Sequence, residues 1–255
     1  MAKYLIALHG IGLSRKYLFY VKDFFQKKGF IVRDMDLLGF GATTVQNRGD
    51  ISDFHEYTRS LVQVSREIRQ QDLQAKIFVW GENLGATIAL MYGIEYPQCP
   101  SGIVAVNPLL SLELGFSKMD IAKNHMASQI APNTRIEFPF LLQDLTDDEH
   151  IAETIASDEA RCTSITARFW GALFRATVFL WTDARRMQVP FLIQYSRGSH
   201  FVSERAVEHF LGLASSPLKL KEGIEGPPLL SLSKKREDIY EKALSFFDLC
   251  DHQKK

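Results

Sequence analysis

A tight turn flanked by glycines is the part of this sequence whose residue types could do chemistry. Residues 79–90 read VWGENLGATIAL, in which Gly81 and Gly85 flank Asn83. This is the G-x-S-x-G spacing of a nucleophile elbow, which holds a serine at the tip of a strand-to-helix turn. Asn83 takes the place of that serine. Its amide nitrogen is delocalised into the carbonyl, so we expect it to form hydrogen bonds but no acyl intermediate.

The elements that must position this turn follow from the hydrophobic pattern. Short apolar runs alternate with segments of helical period, which predicts a mostly parallel sheet covered by helices on both faces. Strands are predicted at 4–10, 30–36, 76–81, 102–108 and 189–196, and helices over 17–29, which Gly29 would close, and over 54–70.

A polar, irregular region interrupts this alternation. Residues 112–185 contain the run IAPNTRIEFPFLLQDLTDDEH and an aromatic helix, which suits an inserted helical cap better than another strand and helix. The predicted core is therefore 1–111 and 186–255. Within the cap, residues 144–153 gather carboxylates and a histidine. A helix N-terminus explains those acidic residues better than a metal site does.

Composition bounds the class of protein. The 255 residues are 46% apolar, and 30 basic residues balance 30 acidic ones. A chain of this size can fill one large α/β core, and zero net charge predicts no nucleic-acid partner. No apolar run approaches the roughly 18 residues of a membrane span, so we expect a soluble, cytoplasmic protein. Three cysteines without C-x-x-C spacing predict free thiols, and no metal or cofactor is expected.

Several separated motifs resemble the α/β-hydrolase fold, and in particular its monoacylglycerol lipase, lysophospholipase and serine aminopeptidase group. They occur in the family's order and cover nearly the whole chain, least clearly in the cap. The motifs are LHGIG (8–12), DMDLLGFGAT (34–43), FVWGENLGATIALMYGIEYP (78–97), VAVNPLL (104–110), SITARFWGALFRA (164–176) and MQVPFLIQYSRGSHFVSERAVEHF (187–210). The resemblance implies a mostly parallel sheet, helices on both faces and a helical cap.

The resemblance also implies a catalytic triad in the chain order Ser, Asp, His. The nucleophile position is Asn83 and the acid position is Gly198. The base position is Leu229, or Pro228 if the register slips by one residue. The sequence has no histidine between residues 209 and 252, so a register error cannot restore the base. We therefore predict that all three triad positions are replaced and that ordinary serine-hydrolase turnover is absent.

Other groups near these positions are weaker candidates for chemistry. Deamidation of Asn83 would create a carboxylate nucleophile, but no base would serve the water step. Glu82 is interpreted as an ordinary surface or rim residue. His200, beside Ser199, is a candidate relocated base, although an exposed loop histidine is the simpler interpretation. Glu113 follows the strand that carries the acid in some relatives, yet it would have no histidine to orient.

The turn is still expected to provide a scaffold and a binding floor. Backbone N–H groups around Ile11 and Leu84 would form an oxyanion hole, and His9 is interpreted as shaping the loop. The candidate ligand-binding residues are His9, Gly10, Ile11, Asn83, Leu84 and His200. Three hypotheses stay open: a pseudoenzyme that binds an acyl-type small molecule or a protein partner, an active carboxylic-ester hydrolase with an unconventional site, and an interaction protein whose cleft has collapsed around Leu229 and Asn83.

Overall fold

A parallel six-stranded sheet forms the centre of the computed structural model, which describes residues 1–41, 47–111, 114–199 and 201–252. Its strand order is β2-β1-β3-β4-β7-β8, and every neighbouring pair is parallel. The strands are β1 Lys3–Leu8, β2 Phe30–Met35, β3 Lys76–Glu82, β4 Gly102–Val106, β7 Phe191–Ser196 and β8 Lys219–Ile224. Two further strands, β5 Arg135–Glu137 and β6 Ser164–Thr166, form a separate antiparallel pair.

Helices connect these strands and cover both faces of the sheet. They are α1 Phe19–Lys27, α2 His55–Gln71, α3 Leu84–Glu95, α4 Lys118–Ile130, α5 Glu149–Ser157, α6 Ala167–Thr182, α7 Glu204–Leu213 and α8 Arg236–His252. The strands and helices predicted outside residues 112–185 are confirmed to within a few residues. Gly29 ends the first helical segment with a φ of 85°, a conformation that favours glycine.

Apolar side chains divide into two cores, one on each face of the sheet. Trp80 and Tyr240 belong to the core beneath α1 and α8, and their rings pack with centroids 6.5 Å apart. Leu84 and Leu229 belong to the larger core on the opposite face. Helix α3 is apolar all round, and every residue from Leu84 to Ile94 is buried. A helix of that kind is stable only inside a protein, which fixes the elbow within the fold.

The region between β4 and β7 contains α4, α5, α6 and the β5–β6 pair. Helix α5 begins where the acidic cluster predicted a helix N-terminus, and the Asp148 side chain accepts the Ile151 N–H. None of the three cysteines forms a disulfide, as predicted, and all three are buried. No helix among the described residues is long and apolar enough to cross a membrane.

Candidate functional site

The turn at Asn83 has the strained shape that a nucleophile elbow requires. Strand β3 ends at Glu82 and α3 begins at Leu84, so a single residue makes the turn. Asn83 has φ 53° and ψ −109°, a backbone conformation that asparagine tolerates better than most residues. Its N–H donates to the Val106 carbonyl at 2.7 Å, which ties the tip to the end of β4.

Close packing around the turn explains why it is flanked by glycine. A Cβ on Gly85 would lie 2.6 Å from the Leu8 carbonyl oxygen and 2.8 Å from that of His9. A Cβ on Gly81 would lie 2.4 Å from the backbone of Gly85. Strand β1, β3 and α3 can approach this closely only without those side chains. The glycine spacing therefore serves packing, whatever residue is at the tip.

The Asn83 side chain turns toward the loop that would supply the oxyanion hole. The Ile11 N–H donates to Asn83 Oδ1 at 3.4 Å. In an acyl-transfer enzyme such a donor is directed at the developing oxyanion of the substrate. Here the chain's own amide oxygen accepts that hydrogen bond. Asn83 and Ile11 are 3% and 2% exposed, so solvent hardly reaches this pair.

His9 holds the same loop in place. Its Nε2 accepts the Leu37 N–H at 3.0 Å, so its Nδ1 carries the proton and donates to the Gly10 carbonyl at 2.8 Å. Burial lowers the pKa of His9 to about 4, although the Gly10 carbonyl and Asp36 act in the opposite direction. Both ring nitrogens are engaged and the ring is neutral, so His9 has no free lone pair with which to act as a base.

Leu229 is buried beside the elbow. One of its methyl carbons lies 3.6 Å from the position of a Cβ on Gly10, and Asn83 Cβ lies 3.5 Å from that same position. Leu229 is only 2% exposed, and its N–H donates to the Leu145 carbonyl at 2.8 Å. Leu229, the residue predicted at the base position, thus lies near Gly10, as Asn83 does, and it is a branched apolar side chain.

Gly198 lies in a turn that suits glycine. Its φ is 72°, and nothing lies within 4 Å of a Cβ built there. An aspartate at this position would adopt a backbone conformation that side chains disfavour. Nearby, Ser199 donates its N–H to the Ser196 carbonyl and accepts the Phe201 N–H through Oγ. The structure does not bring Gly198 into the Asn83, Gly10 and Leu229 cluster.

A polar network at the ends of β4 and β7 fixes the segment that contains Leu229. Asn107 Nδ2 donates to the Pro228 carbonyl at 2.7 Å and to Ser196 Oγ at 2.9 Å. Ser196 Oγ donates to the Pro227 carbonyl at 2.7 Å. We call residues 226–233 the plug segment. Sequence reasoning missed this network, since an asparagine followed by proline at a strand end signals only a turn.

Glu82 is not the surface or rim residue that the sequence suggested. It is 2% exposed, because the residue before the tip points to the face covered by α8. The Ser231 N–H donates to Glu82 Oε1 at 2.9 Å, and the Ser231 hydroxyl donates to Oε2. Burial raises the pKa of Glu82 to about 7, and the hydrogen bonds from Ser231 and Leu230 oppose that rise.

Two candidates from the sequence, Glu113 and His200, lie outside the described residues. Among the rest, the structure brings together His9, Gly10, Ile11, Asn83, Leu84 and Leu229, all buried.

This fold and this elbow define an α/β-hydrolase-fold protein. Residues 1–226 match the sequence profile of the family described as serine aminopeptidase, S33, and the chain belongs to that family. It is 22% identical to the monoglyceride lipase of Rattus norvegicus over 209 residues, which cover 76% of this chain and 67% of the rat protein.

Two solved structures are similar over almost the whole chain. The monoacylglycerol lipase of Paleococcus ferrophilus superposes with a TM-score of 0.86 at 17% identity, covering 98% of this chain and 94% of its own. A soluble variant of the Saccharomyces cerevisiae monoglyceride lipase, solved with a substrate analogue, gives a TM-score of 0.86 at 18% identity and covers 98% and 87%. At these identities the similarity establishes the fold.

Proposed function

We propose that this chain is a non-hydrolytic member of the S33 family that binds an acyl-type small molecule in a cleft closed by Leu229. The observation that carries the proposal is that Leu229, the residue predicted at the position of the catalytic imidazole, is buried and lies near Gly10, as Asn83 does. An aliphatic side chain takes no proton from a nucleophile or from water. The residue at the tip of the elbow offers no nucleophile for such a base to activate.

The occupied Ile11 N–H supports the same proposal. Its hydrogen bond to Asn83 Oδ1 spans 3.4 Å, longer than most N–H···O hydrogen bonds in proteins. A carbonyl oxygen of a ligand could replace the amide oxygen at this donor. The ligand would also have to displace Leu229 from its place near Gly10. Binding would therefore be coupled to movement of the plug segment, and an acyl chain would take over the apolar contacts that Leu229 gives up.

The alternative is an active carboxylic-ester hydrolase that uses other groups. The similarity to a rat monoglyceride lipase favours it. Such an enzyme would still need a base. His9, the histidine of the LHGIG motif, has both ring nitrogens in hydrogen bonds. It would also need a nucleophile that Asn83 does not provide.

Ester hydrolysis tests the proposal directly. The purified protein and an Asn83→Ala variant would be assayed with a panel of p-nitrophenyl acyl esters and with monoacylglycerols. We expect equal rates, both at the level of buffer, and no labelling by a fluorophosphonate. Turnover that disappears in Asn83→Ala would overturn the proposal.

Ligand binding is measured separately by native mass spectrometry with oleate and monooleoylglycerol. We expect a bound acyl compound whose occupancy rises in Leu229→Ala, because that variant removes the side chain that fills the cleft. Leu230→Ala is the matched control, since Leu230 is equally buried but belongs to the core on the other face. Equal occupancy in the two variants would mean that the ligand does not bind where Leu229 lies, and would contradict this part of the proposal.

A further inference from the structure

Strand β2 is one of the two edge strands of the central sheet. It runs from Phe30 to Met35 and pairs with β1 on one side only. Successive residues of a strand direct their N–H and C=O groups to opposite sides, so three of its six residues direct theirs away from β1. In the part of the chain that the structure describes, no other backbone group bonds to this outer side of β2. The edge is therefore open to a further strand.

The opposite edge strand, β8, is protected in a way that proteins commonly use. Its sequence KLKEGI contains three charged residues. Lys219 donates to the Ala214 carbonyl, and Lys221 and Glu222 form ion pairs with residues of α7 and α8. Lysines on an edge discourage pairing with another chain. Strand β2 has no lysine, and its Ile31 side chain is 43% exposed.

Three side chains of β2 face helix α2. Phe30 and Val32 belong to the core under α1 and α8. Side chains alternate along a strand, so Ile31, Arg33 and Met35 point to the opposite face of the sheet. Arg33 donates a hydrogen bond to a glutamine of α2, in agreement with this assignment. A strand added to this edge would therefore place its own side chains opposite Ile31, Arg33 and Met35.

A groove of about 280 Å³ runs between this edge and α2. Met35 of β2 and Val64 and Ile68 of α2 contribute apolar side chains to its lining. Arg33 lines the groove as its cation, and its Nη2 donates to Gln71 Oε1 at 3.4 Å. Among the described residues Arg33 forms no ion pair. A side chain in the groove thus meets apolar surface and a guanidinium without a counter-ion.

The acids near this groove do not neutralise Arg33. Asp34 points to the face covered by α1, where it pairs with Lys22 at 2.8 Å. Glu67 lines the groove from α2, but it lies on the solvent-exposed surface and accepts the Gln63 amide at 3.1 Å. Solvent screens the charge of an exposed carboxylate. A carboxylate placed directly opposite Arg33 would therefore gain more from the guanidinium than it loses to Glu67.

We propose that the edge of β2 binds an extended strand of a partner protein in which two apolar residues flank an acidic one at alternate positions. The acidic side chain forms the ion pair that Arg33 lacks, and the apolar side chains cover Ile31 and Met35. The backbone of the added strand pairs with the open N–H and C=O groups of β2. Strand β1 separates this edge from β3 and its elbow, so the site goes beyond the proposed function and does not depend on it.

Two synthetic peptides test the site. The peptide SVTETVS has valine, glutamate and valine on one face, and SVTKTVS has lysine in place of the glutamate. Each carries a fluorescent label, and anisotropy measures its binding to the full chain. We expect SVTETVS to bind at least about fivefold more tightly, because opposite charges on neighbouring strands attract and like charges repel. Equal binding of the two peptides, or binding of neither, would overturn the proposal.

A charge exchange on the protein identifies the contact. In Arg33→Glu the preference should reverse, so that SVTKTVS binds more tightly than SVTETVS. Arg33 is exposed, so this variant is expected to fold. Arg185→Glu changes an exposed arginine outside β2 and α2 and should keep the native preference. If Arg33→Glu also keeps it, the peptides bind elsewhere and the proposal is wrong.

Methylation of the peptide backbone tests strand pairing itself. In an added strand, alternate N–H groups point to β2 and the others point to solvent. One version of SVTETVS is methylated on the nitrogens of its two threonines and another on those of its two valines. One of them should lose about tenfold or more in affinity, and the other should keep its affinity. Equal behaviour of the two versions would contradict pairing with the edge of β2.

Sedimentation velocity of the protein without peptide examines the alternative occupant, a second copy of the chain. We expect a monomer whose sedimentation coefficient is the same in the native sequence and in Arg33→Glu. A dimer that Arg33→Glu dissociates would mean that β2 pairs with its own copy, which would overturn the assignment to a partner strand.

Discussion

The elbow and the plug segment lie side by side but differ in what fixes them. The elbow is fixed by close packing of the backbone. Gly81 and Gly85 let β1, β3 and α3 pack against each other, and Asn83 adopts the conformation that the turn requires. The plug segment is fixed by side-chain contacts from Asn107, Ser196 and Glu82. The shape of the first region depends on glycines at positions 81 and 85. The second depends on a few particular polar groups, so function can change there without loss of the fold.

The largest expected effect comes from breaking the elbow itself. Gly85→Ala puts a methyl group 2.6 Å from the Leu8 carbonyl oxygen, and backbone on both sides must move. We expect a loss of about 3 kcal/mol or more in the free energy of unfolding, measured by urea denaturation. Gly212→Ala is the matched control. Nothing lies within 4 Å of its Cβ, so helix propensity should leave that variant unchanged or more stable by up to about 1 kcal/mol.

The plug segment is tested by Leu229→Ala. Removing a buried leucine should cost about 3 kcal/mol of unfolding free energy and leave a cavity beside Asn83. Leu230→Ala should cost a similar amount but leave its cavity under α8. Binding of an apolar dye separates the two variants, and only Leu229→Ala should gain it. A dye that bound both equally would contradict the assignment of Leu229 as the side chain that closes the cleft.

The contact between the elbow and the plug segment is tested by the ionisation of Glu82, which changes the free energy of unfolding. Because the pKa of Glu82 is raised to about 7 in the folded state from 4.5, the folded state holds its proton more tightly than the unfolded state. The associated stability is fully present below about pH 4.5 and is lost as the pH rises to about 7, a change of about 3 kcal/mol.

The difference in unfolding free energy between the native protein and Glu82→Gln isolates this term from the other carboxylates. We expect the unfolding free energy of the native protein to fall relative to that of Glu82→Gln as the pH rises from 4.5 to 7.5. Urea denaturation at each pH measures both values. A difference that does not change with pH would mean that Glu82 has the same pKa in the folded and the unfolded protein.

The smallest expected effect is that of Asn83→Ser. Serine restores the residue of the G-x-S-x-G motif, but Leu229 and Gly198 remain at the positions that we predict for the base and the acid. We expect ester hydrolysis indistinguishable from buffer and a stability loss below about 1 kcal/mol, since serine tolerates a positive φ less well than asparagine. Substantial esterase activity in this single variant would show that the base and acid positions were wrongly assigned.

Much of the fold could be predicted from the sequence because the buried parallel strands are continuous apolar runs. Strand β3 and helix α3 were predicted from KIFVWG and its glycine-flanked turn. The edge strand β8 was not, since its sequence KLKEGI is half charged and its burial pattern is mostly exposed or intermediate. Its strand character comes from pairing with β7, a contact that lies outside its own sequence.

Part of the candidate site could be predicted from the sequence and part could not. The proximity of Gly10, Asn83 and Leu229 followed from motif order, because all three lie at the carboxyl ends of the parallel strands or in the loops beyond them. The burial of Glu82 did not follow, since a charged residue before the tip is usually solvated. It depends on Ser231, which is 149 positions away in the chain and has no motif of its own.

The packing of Trp80 against Tyr240 gives the chain an optical reporter of the buried carboxyl group of Glu82. Trp80 precedes Glu82 by two residues, so both side chains point to the same face of β3. The Tyr240 ring packs against Trp80, and its hydroxyl donates a hydrogen bond to the Ser231 carbonyl. With Trp170 and Trp181 replaced by phenylalanine, emission would come from this single indole. A carboxylate forming beside it changes the local electric field, so the emission spectrum should follow the ionisation of Glu82 in real time and without added ligand.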